Sequence, residues 1–220
     1  MKPSFQVVTF DCYGTLIDWE SGIESAFASA LGPGGKIGRQ ELLSAYAECE
    51  AAVEAEPYRS YAEVLGETAR RVGEKLGRPI PSSDDFLARS LPGWRPFPDT
   101  NPALERLASA GIRLGILSNT DDGLLAATRR HFTVPFDLIV TAQQVRSYKP
   151  GLAHFEEARR RFGGARWLHA AQSHFHDVVP ARRLSISVAW INRKGEKPAG
   201  GILPYFEVPT LRELADRLLS

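Results

Sequence analysis

The sequence predicts an α/β fold: a doubly wound parallel sheet with a helical cap inserted after its first strand. Three observations carry this. From Trp94 onward, apolar runs of strand length alternate with amphipathic runs of helix length, the pattern of a parallel sheet covered on both faces. Between residues 18 and 91 the pattern is helical, with no strand-like run. The first strand ends in a carboxylate, Asp11, at the sheet edge where such folds bind ligands.

Taken in order, Val7-Val8-Thr9 is a β-branched run that reads as a buried strand. Gly14, three residues after Asp11, lets the chain turn sharply. Segments 21–31, 39–55 and 58–76 are rich in Ala, Glu, Leu and Arg, with apolar residues at helical spacing. Gly32-Pro33-Gly34-Gly35 and Pro79-Ile80-Pro81-Ser82-Ser83 break these helices, and Asp84-Asp85 caps a short helix through Leu91. The alternating half then gives helices over 101–110, 123–131, 152–162, 178–184 and 211–219, and strands over 112–117, 136–140, 167–171 and 186–191. Asn119 or Thr120 is the expected N-cap of the helix over 123–131. Residues 194–201 form a polar, glycine-rich loop. This organisation predicts a core domain of residues 1–16 and 93–220, with a cap of residues 17–92 above the carboxyl edge of the strands. A lid there excludes water and restricts substrates to small ones.

Composition narrows the function. The chain has 220 residues, 43% of them hydrophobic and 24% charged, enough to bury a proper core. A formal net charge of +1 gives no electrostatic reason to expect nucleic acid or an anionic membrane as partner. No apolar run reaches bilayer length and the N-terminus lacks a signal-peptide layout, so a cytoplasmic location is expected. The two cysteines, Cys12 and Cys49, do not suggest a disulfide scaffold. Cys12 reads as a small buried residue beside Asp11.

Four polar stations each follow an apolar run: Asp11-Cys12-Tyr13-Gly14-Thr15, Ser118-Asn119-Thr120, Tyr148-Lys149-Pro150, and Gln172-Ser173-His174-Phe175-His176-Asp177. Asp11 as nucleophile would split a displacement into two easier steps through an ester or acyl phosphate. Lys149 would keep it ionised and oriented by placing an opposite charge nearby. Ser118 and Asn119 offer donors to a substrate carboxylate or phosphate. His174 and His176 can supply a proton near neutrality, and if extended they point the same way. A transition-metal site there has no supporting cysteine or further histidine spacing.

The order Asp, Ser/Asn, Lys, Asp resembles the haloacid dehalogenase superfamily, and the likeness runs from Val7 to about Trp190. It implies a Rossmann-like core with an inserted helical cap and a covalent aspartate mechanism. By resemblance, Asp11, Thr15, Ser118, Lys149 and Asp177 are catalytic. Cys12, Tyr13, Asn119, Gln172, His174 and Tyr46 are candidate substrate contacts. Superfamily phosphatases carry a second aspartate two residues after the nucleophile, which protonates the leaving oxygen and helps hold magnesium; here that residue is Tyr13. A phenol is a poor acid near neutral pH, whereas a halide leaves without a proton. Asp-x-Tyr-Gly-Thr-Leu is similar to the L-2-haloacid dehalogenases, which need no metal.

That likeness implies hydrolysis of a small 2-substituted carboxylic acid through an aspartyl ester, with no cofactor. The departures are Gln172-Ser173-His174 in place of Ser-Ser-Asn, Phe155 in place of a tyrosine, and no clear match for an arginine early in the cap. Three stretches look closer to the subgroup containing L-azetidine-2-carboxylate hydrolase. The alternatives are a magnesium-dependent phosphatase, an azetidine-2-carboxylate-type ring-opening hydrolase, and a non-catalytic binding protein on this scaffold. The expected partner is a small-molecule substrate, with a homodimer left open.

Overall fold

The computed structural model describes residues 4–32, 37–78, 80 and 85–220. In chain order its elements are β1 (Val7–Phe10), α1 (Trp19–Leu31), α2 (Arg39–Glu54), α3 (Tyr61–Lys75), α4 (Phe86–Ser90), α5 (Thr100–Ser109), β2 (Arg113–Ser118), α6 (Asp122–Thr128), β3 (Leu138–Thr141), α7 (Ala142–Val145), α8 (Ala153–Phe162), β4 (Trp167–Ala171), α9 (Val179–Arg183), β5 (Ser187–Ile191), β6 (Phe206–Val208) and α10 (Leu211–Leu219). They divide into two compact units. One comprises residues 1–18, 96–119 and 130–220; the other comprises 19–95 and 120–129. The breakers expected at 33–35, 79 and 81–83, and the Asp84 cap, lie outside the described residues.

The first unit is built on a parallel sheet ordered β3-β2-β1-β4-β5-β6. Its central strand, β1, is Val-Val-Thr-Phe and is buried along its whole length. That run carries apolar side chains on both faces, as a strand needs when helices cover both sides. On one face Phe155 and Ala158 of α8 and Ala181 of α9 pack with Leu117, Val140, Val188 and Trp190. Elsewhere α5 and α10 pack against each other, burying Leu104, Leu107, Leu211, Leu214 and Leu218. The chain runs outward from β1 through β2 to β3, then returns to start again at β4. The reversal leaves β1 and β4 adjacent, with their following loops diverging. Such a switch point opens a crevice at the carboxyl ends of the two strands.

The sheet has one strand more than the sequence patterning predicts. Strand β6 has only three residues and pairs with β5 alone, too short a run to show alternation. Helix α6 begins at Asp122 with Asp121 as its N-cap, so neither Asn119 nor Thr120 fills that place.

The second unit is helical. Helix α3 buries Tyr61, Val64, Leu65, Thr68, Ala69 and Val72, one stripe at helical spacing. Its start, three residues later than the pattern suggests, is fixed by a capping box between Ser60 and Glu63. The Asp121 carboxylate adds a second anchor, accepting from the backbone N–H groups of Tyr61 and Ala62 at 2.9 Å each. An anion there also meets the positive end of the helix dipole. Arg70 and Arg71 pair with Glu56, Glu67 and Glu74 across a largely solvated surface. Such pairs contribute little each.

Packing is tightest where Gly22 of α1 meets Trp94. A Cβ at Gly22 would lie 2.4 Å from Trp94 Cγ. The indole is buried and donates from Nε1 to Ser90 Oγ at 3.1 Å, so it has little room to yield. Alanine gains about 1 kcal/mol of helix propensity over glycine, while overpacking of this kind costs about 1–3 kcal/mol. Gly22→Ala should therefore destabilise the chain by up to about 2 kcal/mol, read as a lower urea midpoint with an unchanged slope. An equal or higher midpoint would show that Trp94 moves aside freely.

Candidate active site

Asp11 follows β1 at the switch point, its backbone N–H bonded to Ala170 O of β4 at 3.1 Å. The loop beyond it closes tightly: Leu16 N and Ile17 N donate to Cys12 O at 2.8 and 3.0 Å, and Gly14 N to Ile17 O at 2.8 Å. Gly14 sits at φ 99°, a backbone conformation that strongly favours glycine. The turn brings Thr15 back onto Asp11, and Thr15 Oγ1 donates to Asp11 Oδ2 at 2.9 Å. Thr15 Oγ1 in turn accepts from the backbone N–H of Gln172, after β4, at 2.9 Å. The two loops of the switch point are thus tied through one hydroxyl.

Lys149 enters from the loop between α7 and α8 and is 1% exposed. Its ammonium has three N–H donors. They go to Asp11 Oδ1 at 2.9 Å, Asp177 Oδ1 at 2.7 Å and Leu117 O at 2.9 Å. Asn119 fixes the loop that carries it: Asn119 Nδ2 donates to Lys149 O at 3.0 Å and Asn119 Oδ1 accepts from Lys149 N at 2.7 Å.

Asp177 lies in a wide helical turn, His174–Val178, that runs into α9. Its Oδ1 accepts a second bond, from His169 Nε2 at 3.0 Å. His169 Nδ1 lies 2.8 Å from Thr9 Oγ1, which accepts from Trp167 Nε1 at 2.7 Å. Thr9 and His169 are register partners in β1 and β4.

The two carboxylates sit in different fields. Burial lifts Asp11 above the usual carboxylate range; the Lys149 charge opposes that and the Asp177 charge adds to it. Burial also penalises ionised Asp177, but Lys149's charge and the His169 and Lys149 bonds outweigh it and hold this group below the usual range. For Lys149 burial favours losing the proton, yet the charges of Asp11 and Asp177 prevail and hold the ammonium above its ordinary range.

Asp11, Thr15, Lys149 and Asp177 therefore converge on one cluster. Ser118 ends β2, the strand next to β1; its hydroxyl is buried and has no protein partner. Asn119, expected to offer a substrate donor, bonds the Lys149 backbone through its amide oxygen and one of its two amide N–H groups. Cys12 is a fully buried free thiol, its ionisation pushed well up by burial and then by Asp11's charge. Tyr13 is half-buried and pairs through its backbone with Ile17. Gln172 contributes its backbone, accepting from Trp190 Nε1 at 2.7 Å as well as donating to Thr15.

The segment is helical, so the condition under which His174 and His176 would point the same way is not met. His174 Nε2 donates to Ile202 O at 2.8 Å with its ring 5.0 Å from Trp190, while His176 Nδ1 meets Ser173 Oγ at 3.1 Å. They do not share a direction. Tyr46 belongs to the helical unit, where its hydroxyl donates to Glu50 Oε1 at 2.7 Å. Two buried histidines escaped the sequence reading, His154 and His169. Nothing in a single strand or helix pattern marks either; for His169 the signal lies in its pairing with Thr9 on another strand.

The donor set does not suit a magnesium ion. Three of the four carboxylate oxygens of Asp11 and Asp177 already accept from Lys149, Thr15 or His169. Only Asp177 Oδ2 is buried without a protein donor, and position 13 brings no carboxylate. Magnesium prefers several oxygen ligands in regular geometry. Among the described residues no group of three or more His, Cys, Asp or Glu side chains is placed to hold a metal.

His154 gives the site a measurable pH signature. Its Nε2 lies 3.1 Å from Ser118 O, and burial, reinforced by the Lys149 charge, pushes the imidazole down to about 3. The folded chain thus refuses a proton that the unfolded chain binds below about 6.5. The contribution of His154 to stability should rise with pH from about 3 to about 6.5 and change no further above that range. His176, lowered by burial, acts in the same sense and Asp177 only below the ordinary carboxylate range, whereas Asp11 and Glu50, raised by burial, act in the opposite sense above that range. His154→Gln keeps a donor for Ser118 O and removes the titrating ring. It should flatten the plot of urea midpoint against pH between about 4 and 7; an unchanged slope would assign the dependence to other groups.

Comparison with known proteins identifies the family. The chain is 27% identical to (S)-2-haloacid dehalogenase H-109 of Pseudomonas putida, over the whole of both chains. The crystal structure of the L-2-haloacid dehalogenase RSc1362 superposes with a TM-score of 0.85 at 25% identity, covering 99% of this chain and 100% of that one. The L-2-haloacid dehalogenase of Xanthobacter autotrophicus with chloropropionic acid covalently bound shares the fold, with a TM-score of 0.82 at 22% identity and 98% of each chain covered. A family model for haloacid dehalogenase-like hydrolases matches residues 5–171. With that match running from β1 to the end of β4, over most of the chain, the chain belongs to the haloacid dehalogenase-like hydrolases.

Proposed function

We propose that this chain hydrolyses a small 2-substituted carboxylic acid, of the L-2-haloacid kind, through a covalent ester on Asp11. The observation that carries the reading is the single ammonium of Lys149 shared by two buried carboxylates at the switch point. A buried carboxylate paired with one ammonium, with no metal-binding companion at position 13, suits attack on carbon more than attack on phosphorus.

In the first step an Asp11 oxygen forms a bond to C2 of the substrate. The carbon–halogen bond breaks, the halide leaves with the bonding electrons, and C2 inverts. No proton is needed, which fits Tyr13 in place of an acid. The Ser118 hydroxyl, buried without a protein partner, is the donor we assign to the substrate carboxylate. In the second step water adds to the carboxyl carbon of Asp11. Charge develops on the oxygen that is not alkylated, and a donor from Lys149 or Thr15 already lies on each oxygen. Asp177 Oδ2, with no protein donor, accepts from the attacking water. Collapse frees the 2-hydroxy acid and restores the carboxylate, with one proton released per turnover.

The relatives' names support the substrate class, and the covalently bound chloropropionic acid in the Xanthobacter enzyme supports the ester. Gln172, His174 and Phe155 depart from the dehalogenase motifs, and the cap shows no clear match for the usual arginine. His174, committed to Ile202 O, gives no support to protonation of an amine leaving group.

The test is single turnover of L-2-chloropropionate in heavy-oxygen water. The 2-hydroxy acid should carry unlabelled oxygen and the label should appear in the peptide containing Asp11, because water attacks the ester and not C2. Asp11→Asn should lower turnover by at least about a thousandfold, and a chelator should leave the wild-type rate unchanged. Label in the product on the first turnover would sink the covalent step. Activity lost in chelator and restored by magnesium would return the phosphatase reading.

A further inference from the structure

Asp177 is held in an unusual way. Both of its protein donors, Lys149 Nζ at 2.7 Å and His169 Nε2 at 3.0 Å, fall on Oδ1, while Oδ2 has none. One oxygen is pinned and the other is left available. The Lys149 bond alone would not fix the carboxylate plane, because a single donor on one oxygen leaves rotation about the Cβ–Cγ bond open. The second donor, from a different direction and on a β-strand, removes that freedom.

His169 can do this only in one tautomer, and the residues behind it set which. The Trp167 indole N–H can only donate, and it donates to Thr9 Oγ1. The Thr9 hydroxyl then has one proton to give, and among its hydrogen bonds the other partner is His169 Nδ1. If Nδ1 carried the proton, the buried Thr9 O–H would have nowhere to donate. The arrangement that satisfies every group runs one way: Trp167 N–H to Thr9, Thr9 O–H to His169 Nδ1, His169 Nε2–H to Asp177 Oδ1. All three sit on β1 and β4, the most deeply framed part of the sheet, and the imidazole is 0% exposed with its ring edge-on to Phe155 at 5.2 Å. A histidine so placed cannot reach substrate. It can orient the group that does, as second partners of metal-bound and triad histidines do.

We infer that His169, locked by Thr9 and Trp167, is the positioning residue for the hydrolytic half of the reaction, aiming Asp177 Oδ2 at the water that attacks the Asp11 ester. This rests on the two-step reading above. It also separates the half-reactions: the carbon–halogen displacement uses Asp11, Lys149 and Ser118, whereas ester hydrolysis depends in addition on the aim of Asp177.

The experiment uses His169→Phe, which keeps a ring against Phe155 but removes the donor. With L-2-chloropropionate, kcat should fall about ten- to a hundredfold. KM should fall in the same proportion, leaving kcat/KM unchanged, because only the step after alkylation slows. Intact-protein mass should show the Asp11 ester accumulating. His169→Gln, whose side-chain amide can donate in place of Nε2, should recover most of kcat. In the wild-type chain, nitrogen-correlated NMR of the imidazole should show the tautomer protonated at Nε2.

If the wild type forms no ester, the two-step reading falls and this assignment falls with it. If the wild type forms the ester but His169→Phe clears it at the normal rate, or loses kcat/KM together with kcat, the positioning role alone is overturned. A proton on Nδ1 in place of Nε2 overturns it without any substrate. Should His169→Phe not fold, Thr9→Val removes only the hydroxyl that sets the tautomer. A few-fold drop in kcat with ester accumulating supports the role, and wild-type kinetics refute it.

Discussion

One buried ammonium holds the candidate site together. Lys149 brings a positive charge among two carboxylates and a backbone carbonyl, with almost no solvent contact, and each of its protons has an acceptor. Desolvating three charges is expensive, and only close pairing with saturated hydrogen bonding offsets it. The chain therefore has to deliver Asp11, Asp177 and Leu117 O to the same few ångströms from three separate segments. The strand order does most of this, since β2, β1 and β4 are neighbours and their carboxyl ends lie side by side. Loss of the lysine alone would leave two buried carboxylates without a counter-charge, a change of about 3–5 kcal/mol in comparable sites.

The surrounding bonds read as consequences of that constraint. Asn119 spends its amide on the Lys149 backbone because a long side chain aimed at two acceptors tolerates little movement at its base. Thr15 and the Gln172 N–H clasp the two loops across the switch point. Farther out, the Arg193 guanidinium stacks on Phe97 at 4.0 Å, pairs with Asp99, and donates to Thr15 O at 3.0 Å. The turn that carries the nucleophile candidate is thus braced at both the hydroxyl and the carbonyl of one residue.

The parts of this design that are local in sequence are legible without coordinates. Val7-Val8-Thr9 followed by Asp11 and Gly14 announces a buried strand with an acid at its end, and the alternation after Trp94 announces the parallel sheet. Lys149 is legible only in company with the other stations. What cannot be read is whatever depends on register between distant strands. Thr9 looks like an ordinary β-branched residue until β4 places His169 beside it, and His169 looks like a strand position until Asp177 folds back over it. The same limit hid β6, whose three residues gain their strand character from β5, and the anchoring of α3 by Asp121, which is sixty residues away. The direction of His174 and His176 has a similar origin: Ser173 caps a turn by accepting from His176 N at 3.1 Å, so the two rings do not align as they would on an extended run.

The cluster also explains why two neighbouring aspartates would divide the work as proposed. Both are buried, and both share the same lysine, yet their environments push their proton affinities apart, Asp11 upward and Asp177 downward. Burial raises both; for Asp11 the Asp177 charge adds to it against Lys149, whereas for Asp177 the Lys149 charge and the His169 bond prevail. Divergent carboxylates of this kind are the usual mark of assigned roles. The less stabilised anion is the more nucleophilic, and alkylating it relieves the crowding of two negative charges around one positive charge. Once Asp11 is an ester, Lys149 has a single carboxylate partner, and the site is closer to charge balance than before. On the proposed reading the ester is a resting point that a well-aimed water carries forward, and the pinning of Asp177 Oδ1 by two donors would serve that second step.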